Sequence, residues 1–277
     1  MRLFAVVEYD GTDFAGFQYQ EREQVQLRTV QGELERAISA CTGETPRVSG
    51  AGRTDAGVHA SGQVVHFDSE AKIARDPSRL ARALNAHLPE DLKVRSMAGV
   101  PADHHSRFSA SRRRYCYRIY NSRQPSPLHR RFTHHARVPL DAERMNEGAQ
   151  LLVGSHDFVA FAAEQGPGST VRRVFSARVA RTWAGGSPIW HTYEVAACDS
   201  AALALDQDDA QAQLIEIEVE ANGFLRHMMR RIAGTLIRAG DGRLAPGDVA
   251  TILASRVKSQ AGPTAPARGL CLEAVTY

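Results

Sequence analysis

Several features that would mark a specialised class are scarce or missing in this chain of 277 residues. There are four cysteines, Cys41, Cys116, Cys198 and Cys271, and none belongs to a CxxC pair. Such scatter supports neither a zinc site nor a disulfide framework and points to a reducing cytoplasm. Lysine is nearly absent, with Lys72, Lys93 and Lys258 the only ones among 34 basic residues. Genomic base composition accounts for most of that bias. It still leaves a planar, fork-shaped donor at almost every basic position, a shape suited to phosphate and base edges. No apolar run approaches the roughly 18 residues of a membrane span. The first strand-like stretch meets Glu8 after five apolar residues, too soon for a signal h-region. Eleven histidines include no HxxxH or HExxH spacing, and no GxGxxG or GxxxxGK[ST] occurs. Metal and nucleotide-cofactor chemistry are therefore not expected.

Charge is missing by blocks rather than overall. Residues 104–137 hold nine arginines and no Asp or Glu, while residues 182–225 hold eight acidic residues and no Lys or Arg. The local field of the first block is thus much stronger than a net charge of +3 suggests. An apolar fraction of 43% with 23% charged residues is that of a soluble globular protein with a substantial core.

Periodicity gives an alternation of strands and single helices. Strands are expected at 3–8, 46–49, 62–68, 91–97 and 112–120, and helices over 30–40 behind Thr29 and from Asp76-Pro77 to Pro89. After the linker at 121–127, Asp141 caps a helix and strands follow at 171–183 and 189–196 around a hairpin at 185–188. A cleanly alternating strand comes at 214–220, then an arginine-studded helix at 224–239, a short helix capped by Asp248 and a last strand at 270–275. The pattern predicts an α+β fold of two ferredoxin-like, RRM-like halves, 1–121 and 128–277. Their antiparallel sheets would join into one central mixed sheet with a cleft between them. The stretch 185–212 is acidic.

The stretch that could carry chemistry is Ala51-Gly52-Arg53-Thr54-Asp55-Ala56-Gly57-Val58-His59-Ala60. Its glycines allow close approach, and Asp55 stands among small residues at the mouth of a strand. Taken alone it reads more readily as an Asx turn, with Asp55 satisfying nearby backbone N–H groups. Two distant features bear on it. Tyr115 and Tyr117, beside Arg112, Arg113 and Arg114, suit a surface that stacks on unpaired bases while arginines hold phosphates, or else a half-buried edge strand. An arginine of the 224–239 helix turned towards Asp55 would keep the carboxylate ionised in a dry site, and an ionised carboxylate without a partner acid suits attack at an electron-poor carbon.

Seven segments resemble the tRNA pseudouridine synthase A family. They are Glu8-Tyr9-Asp10-Gly11-Thr12, Gly52-Arg53-Thr54-Asp55-Ala56-Gly57-Val58-His59, Arg107-Phe108-Ser109-Ala110, Arg114-Tyr115-Cys116-Tyr117, His156-Asp157-Phe158, the run from Asn222 to Arg230, and Gly269-Leu270-Cys271-Leu272. The resemblance implies isomerisation of uridine to pseudouridine at positions 38, 39 and 40 of tRNA. It also implies a homodimer, no metal and no organic cofactor. By motif it makes Asp55 the catalytic aspartate acting on ribose C1′, and Tyr115 the residue that packs on the base. Arg230 becomes the charge partner of Asp55, Leu270 a wall of the base pocket, and Arg53 the side chain entering the space of the flipped nucleotide. Flipping is required, because C1′ and C5 of a stacked base are out of reach. Arg107, Arg112, Arg113 and Arg114 are the expected RNA contacts. The family's tryptophan after the Tyr-Asp-Gly segment is Phe17 here. Against the family's pattern the acidic stretch 185–212 is expected to be an insertion that projects away from the RNA-binding face. An RNA-binding module without catalysis and an N-glycosidase releasing uracil are the competing readings.

Overall fold

The computed structural model describes residues 1–22, 25–163, 168–183 and 213–277. Along the chain run β1 (Arg2–Tyr9), β2 (Glu21–Arg22), β3 (Val25–Gln26), α1 (Val30–Thr42), β4 (Ser49–Gly50), β5 (His59–Asp68), α2 (Pro77–His87), β6 (Leu92–Val100) and β7 (Arg112–Asn121). There follow β8 (His134–Ala136), α3 (Ala142–Gln150), β9 (Gly154–Asp157), β10 (Val171–Trp183), β11 (Gln213–Ala221), α4 (Met228–Gly240), α5 (Asp248–Ser255) and β12 (Leu270–Thr276). Ten strands belong to a mixed sheet, so the α+β class expected from periodicity is the class observed. Contacts divide the chain into two compact units, Met1–Tyr115 with Leu270–Tyr277, and Cys116–Gly269.

In the first unit the strand order is β6-β1-β5-β12, with β4 paired to β5. β1 alternates, burying Leu3, Ala5, Val7 and Tyr9. β5 instead buries nearly every residue, which is what a strand covered on both faces does and why its sequence reads as an apolar run. α1 is capped by the Thr29 hydroxyl, which accepts from the Gly32 N–H, and ends on Gly43 at φ 75°. Asp76 caps α2 by accepting from the Arg79 N–H, with Pro77 at the first helical position. α2 packs on β6 and on α1. β12 runs parallel to β5, Cys271 lying opposite His59 and Leu272 opposite Ala60.

In the second unit the order is β7-β11-β10-β9, with β8 parallel to β7. α3, capped by Asp141, packs against β10 and α4. β11 buries Ile215, Ile217, Val219 and Ala221 on alternate positions.

Three local expectations need correction. The strand at 46–49 is only Ser49–Gly50, while β5 begins three residues early, at His59. The helix expected from Phe224 begins at Met228, because His227 takes a left-handed conformation at φ 61° and breaks the helical run. Asp248 is not the cap of its helix but the first helical residue, and its carboxylate accepts from the Ala245 N–H. The hairpin, the strand at 189–196 and the acidic insertion lie outside the described residues. Among the described residues no helix is long and apolar enough to cross a membrane, and Cys116 and Cys271 are buried.

β5 and β12 approach so closely at Gly62 that an added Cβ would stand 2.1 Å from the Glu273 carbonyl oxygen. That oxygen is backbone and cannot swing away. Gly62→Ala is therefore expected to destabilise the protein by at least about 2 kcal/mol, the order of an overpacked core site, read as a lowered midpoint of urea unfolding.

Candidate active site

Asp55 lies on an irregular loop between β4 and β5, so no ladder of strand hydrogen bonds fixes it. Neighbouring groups do so instead. The Phe17 N–H donates to the Thr54 carbonyl at 3.0 Å, and the Ala51 N–H to the Val64 carbonyl at 2.8 Å. The Tyr9 and Thr54 hydroxyls share a buried hydrogen bond of 2.8 Å. The Gln63 side-chain amide donates to the Gly52 carbonyl at 2.8 Å, and the Arg113 guanidinium to the Ala51 carbonyl at 3.1 Å. The Val58 N–H closes a tight turn onto the Asp55 carbonyl at 3.1 Å. Behind the loop, Gly16 at φ 108° lies so close that a Cβ there would be 3.0 Å from the Thr54 carbonyl oxygen. A Cβ at Gly50 would collide with the Phe17 ring at 2.6 Å, so the ring packs directly over that glycine. The outcome is a loop with Thr54 and Val58 turned inward, Asp55 half-buried and Arg53 exposed.

Tyr115 of β7 is buried, and a Cβ on Gly52 would sit 3.8 Å from its hydroxyl oxygen, so the phenol lies against this loop. Burial pushes its pKa up, the charges of Tyr9 and Asp55 add to the rise, and Arg113 opposes it. Tyr115 therefore rests as a neutral phenol, an apolar face with a donor at its tip. Leu270, buried, opens β12 one residue before the Cys271–His59 pairing, which sets it beside the end of the Asp55 loop.

Arg230 belongs to the second unit. Its Nε donates to the Ala265 carbonyl at 2.7 Å, while the Ala265 N–H returns a bond of 3.1 Å to the Arg230 carbonyl, so its position on α4 is held from two sides. Arg107, Arg112 and Arg114 are exposed, Arg114 lying 3.6 Å from the Glu273 carboxylate. Arg113 is set differently. It is buried, and its guanidinium donates to the carbonyls of Ala51, Arg107 and Ala110. Among the described residues no group of three or more His, Cys, Asp or Glu side chains is arranged to hold a metal ion.

Sequence reasoning passed over Tyr9, Thr54, Gln63 and the holding role of Arg113. Tyr9 and Thr54 stand within the family motifs, but nothing in their spacing pairs two hydroxyls 45 residues apart. It also passed over Ser106, fully buried, whose hydroxyl donates to the Ser49 carbonyl at 2.9 Å. The Ser106 N–H donates to His66 Nδ1 at 3.2 Å.

A family model described as tRNA pseudouridine synthase matches residues 5–109 and 149–277. Full-length relatives carry the description tRNA pseudouridine synthase A. One from Methylobacterium radiotolerans is 43% identical over 100% of this chain and 98% of its own length. One from Chloroflexus aurantiacus is 42% identical over 100% and 89%, and one from Brevibacillus brevis 39% identical over 100% and 99%. A strand-flanked aspartate loop with a buried tyrosine against it is thus found in a chain similar to RNA-modifying isomerases along its whole length. The chain belongs to the tRNA pseudouridine synthase family, as its motifs implied.

Two consequences of this geometry can be measured. Tyr9→Phe leaves the Thr54 hydroxyl without its buried partner, at a cost of roughly 1–3 kcal/mol. It should lower kcat on tRNA more than it raises KM. The second concerns His66, whose pKa is pushed down to about 4 chiefly by burial, with His105 and Arg2 adding. The folded state then binds fewer protons than the unfolded one between pH about 6.5 and about 4. Stability should be complete above that window and fall as pH drops through it, by at most about 1.4 kcal/mol per pH unit. Urea midpoints across this range should slope for the native protein and flatten in His66→Gln.

Proposed function

We propose that the chain isomerises uridine to pseudouridine at positions 38, 39 and 40 of the anticodon stem and loop of tRNA, with Asp55 acting at ribose C1′. The bond between C1′ and N1 breaks, the uracil turns within the site, and C5 bonds to C1′. C5 gives up its proton and N1 gains one, so atoms balance without an oxidant or a cofactor. The observation that carries this reading is a half-buried carboxylate on a loop immobilised by its neighbours, with a buried neutral phenol against the same loop. Immobility matters because a nucleophile held in place needs no reorganisation as charge develops. The neutral state of Tyr115 supports packing on the base. Leu270 supplies apolar wall, and exposed Arg53 is suited to occupy the space left by a flipped nucleotide. Arg230 as the counter-charge of Asp55 and the homodimer are carried by the family resemblance, and action in the cytoplasm by the scattered cysteines without a CxxC pair.

One assay addresses the chemistry. Incubation with unmodified tRNA followed by nucleoside analysis should give pseudouridine and no free uracil; free base would mean glycosidase action. Asp55→Asn should bind tRNA nearly as well as the native enzyme and make no product, and turnover retained in that variant would refute the assignment. The exposed Arg107, Arg112 and Arg114 predict a tRNA affinity that falls steeply between 50 and 200 mM salt. A flat response would remove them from the RNA interface.

A further inference from the structure

Phe108 is the most exposed large apolar side chain among the described residues, at 77%. A single exposed aromatic is ordinary. The fastening of the segment that carries it is not. Arg2 donates to the carbonyls of Ala102 and His104. Buried Ser106 is bonded to Ser49 and His66, and the Tyr277 hydroxyl donates to the Ser106 carbonyl at 2.8 Å. Arg113 gathers the carbonyls of Arg107 and Ala110. The turn itself is closed twice over, the His105 N–H donating to Ser109 Oγ at 3.0 Å and the Ser109 N–H to the His105 carbonyl at 2.9 Å. Polar groups from five separate parts of the first unit, Arg2, Ser49, His66, Arg113 and Tyr277, thus hold a turn whose tip is an exposed aromatic ring.

The surroundings of that ring indicate what it meets. The His105 ring lies 4.4 Å from it, tilted by 40°, and the Arg107 guanidinium carbon stands 5.6 Å from its centroid. Exposed His104 and Arg112 are near in sequence, and no acidic residue occurs from 104 to 137. The acid just before the block, Asp103, is 3.2 Å from His104. An aromatic face with a guanidinium beside it, in a stretch without acids, fits a polyanion that carries flat bases, and its fastening lowers the entropic cost of binding. Arg113 also fixes where this face stands. The same guanidinium nitrogen donates to Arg107 in the turn and to Ala51 at the head of the Asp55 loop.

We infer that Phe108 is a stacking platform for an unpaired base flanking the isomerised uridine, with Arg107 on the adjoining phosphate and Arg113 positioning the platform against the Asp55 loop. The inference rests on tRNA being the substrate. The test uses the full chain with Phe108→Ala, Phe108→Leu and Phe108→Trp, and tRNA with an abasic nucleotide on either side of the target. Phe108→Ala and Phe108→Leu should weaken tRNA binding roughly 5- to 100-fold, the range for loss of one base stack, with kcat at saturating tRNA within about twofold of native. Phe108→Trp should restore affinity. Combining Phe108→Ala with the abasic nucleotide at one flanking position should weaken binding no more than either change alone. Native affinity in Phe108→Leu, or full additivity at both positions, would overturn the platform. So would loss of a dimer in sedimentation of Phe108→Ala, which would assign the face to a second copy of the chain. Failure of the native enzyme to make pseudouridine would instead overturn the functional reading, whatever these variants do.

Discussion

A loop without strand pairing must be held by other means, and the loop that carries Asp55 is such a loop. Its carbonyls are tied one by one: Ala51 by Arg113, Gly52 by Gln63, Thr54 by the Phe17 N–H. Each donor comes from an element fixed for other reasons. Gln63 belongs to β5, Arg113 to β7 and Phe17 to the aromatic loop ahead of α1, with Tyr9 at the end of β1 binding the Thr54 hydroxyl. Removing any one donor leaves a buried polar group unsatisfied at the place where geometry must be tightest.

The same constraint explains the residues around the loop. Phe17 fills space over Gly50, and Gly16 adopts positive φ so that the backbone can press against Thr54 and Asp55. Tyr115 and Arg113 stand two residues apart on the same face of β7, and their partners separate their tasks. The phenol is kept neutral, while the guanidinium is spent on carbonyls rather than left to solvent.

Much of this was legible in the chain because local patterns caused it. Thr29 and Asp76 cap helices where side-chain chemistry says they should, and β11 alternates because one of its faces is buried. The class of the fold followed from that alternation, and the family followed from ordered motifs. Other features were illegible for physical reasons. The start of α4 is hidden from periodicity because a left-handed His227 leaves no mark on apolar spacing. Arg113 looks in sequence like Arg112 and Arg114, and only its burial sets it apart. The bond between Tyr9 and Thr54 is long-range, and periodicity carries no information about such pairs.

β12 has a bearing on how the enzyme comes into being. It lies beside β5 and brings Leu270 to the end of the Asp55 loop, yet the whole of Cys116–Gly269 separates it from Tyr115 in the chain. Ribosomes build chains from the N-terminus at about 5–20 residues per second. The start of β5, next to the Asp55 loop, therefore waits on the order of ten seconds for its β12 partner, and the neighbourhood of that loop is complete only once β12 has been made.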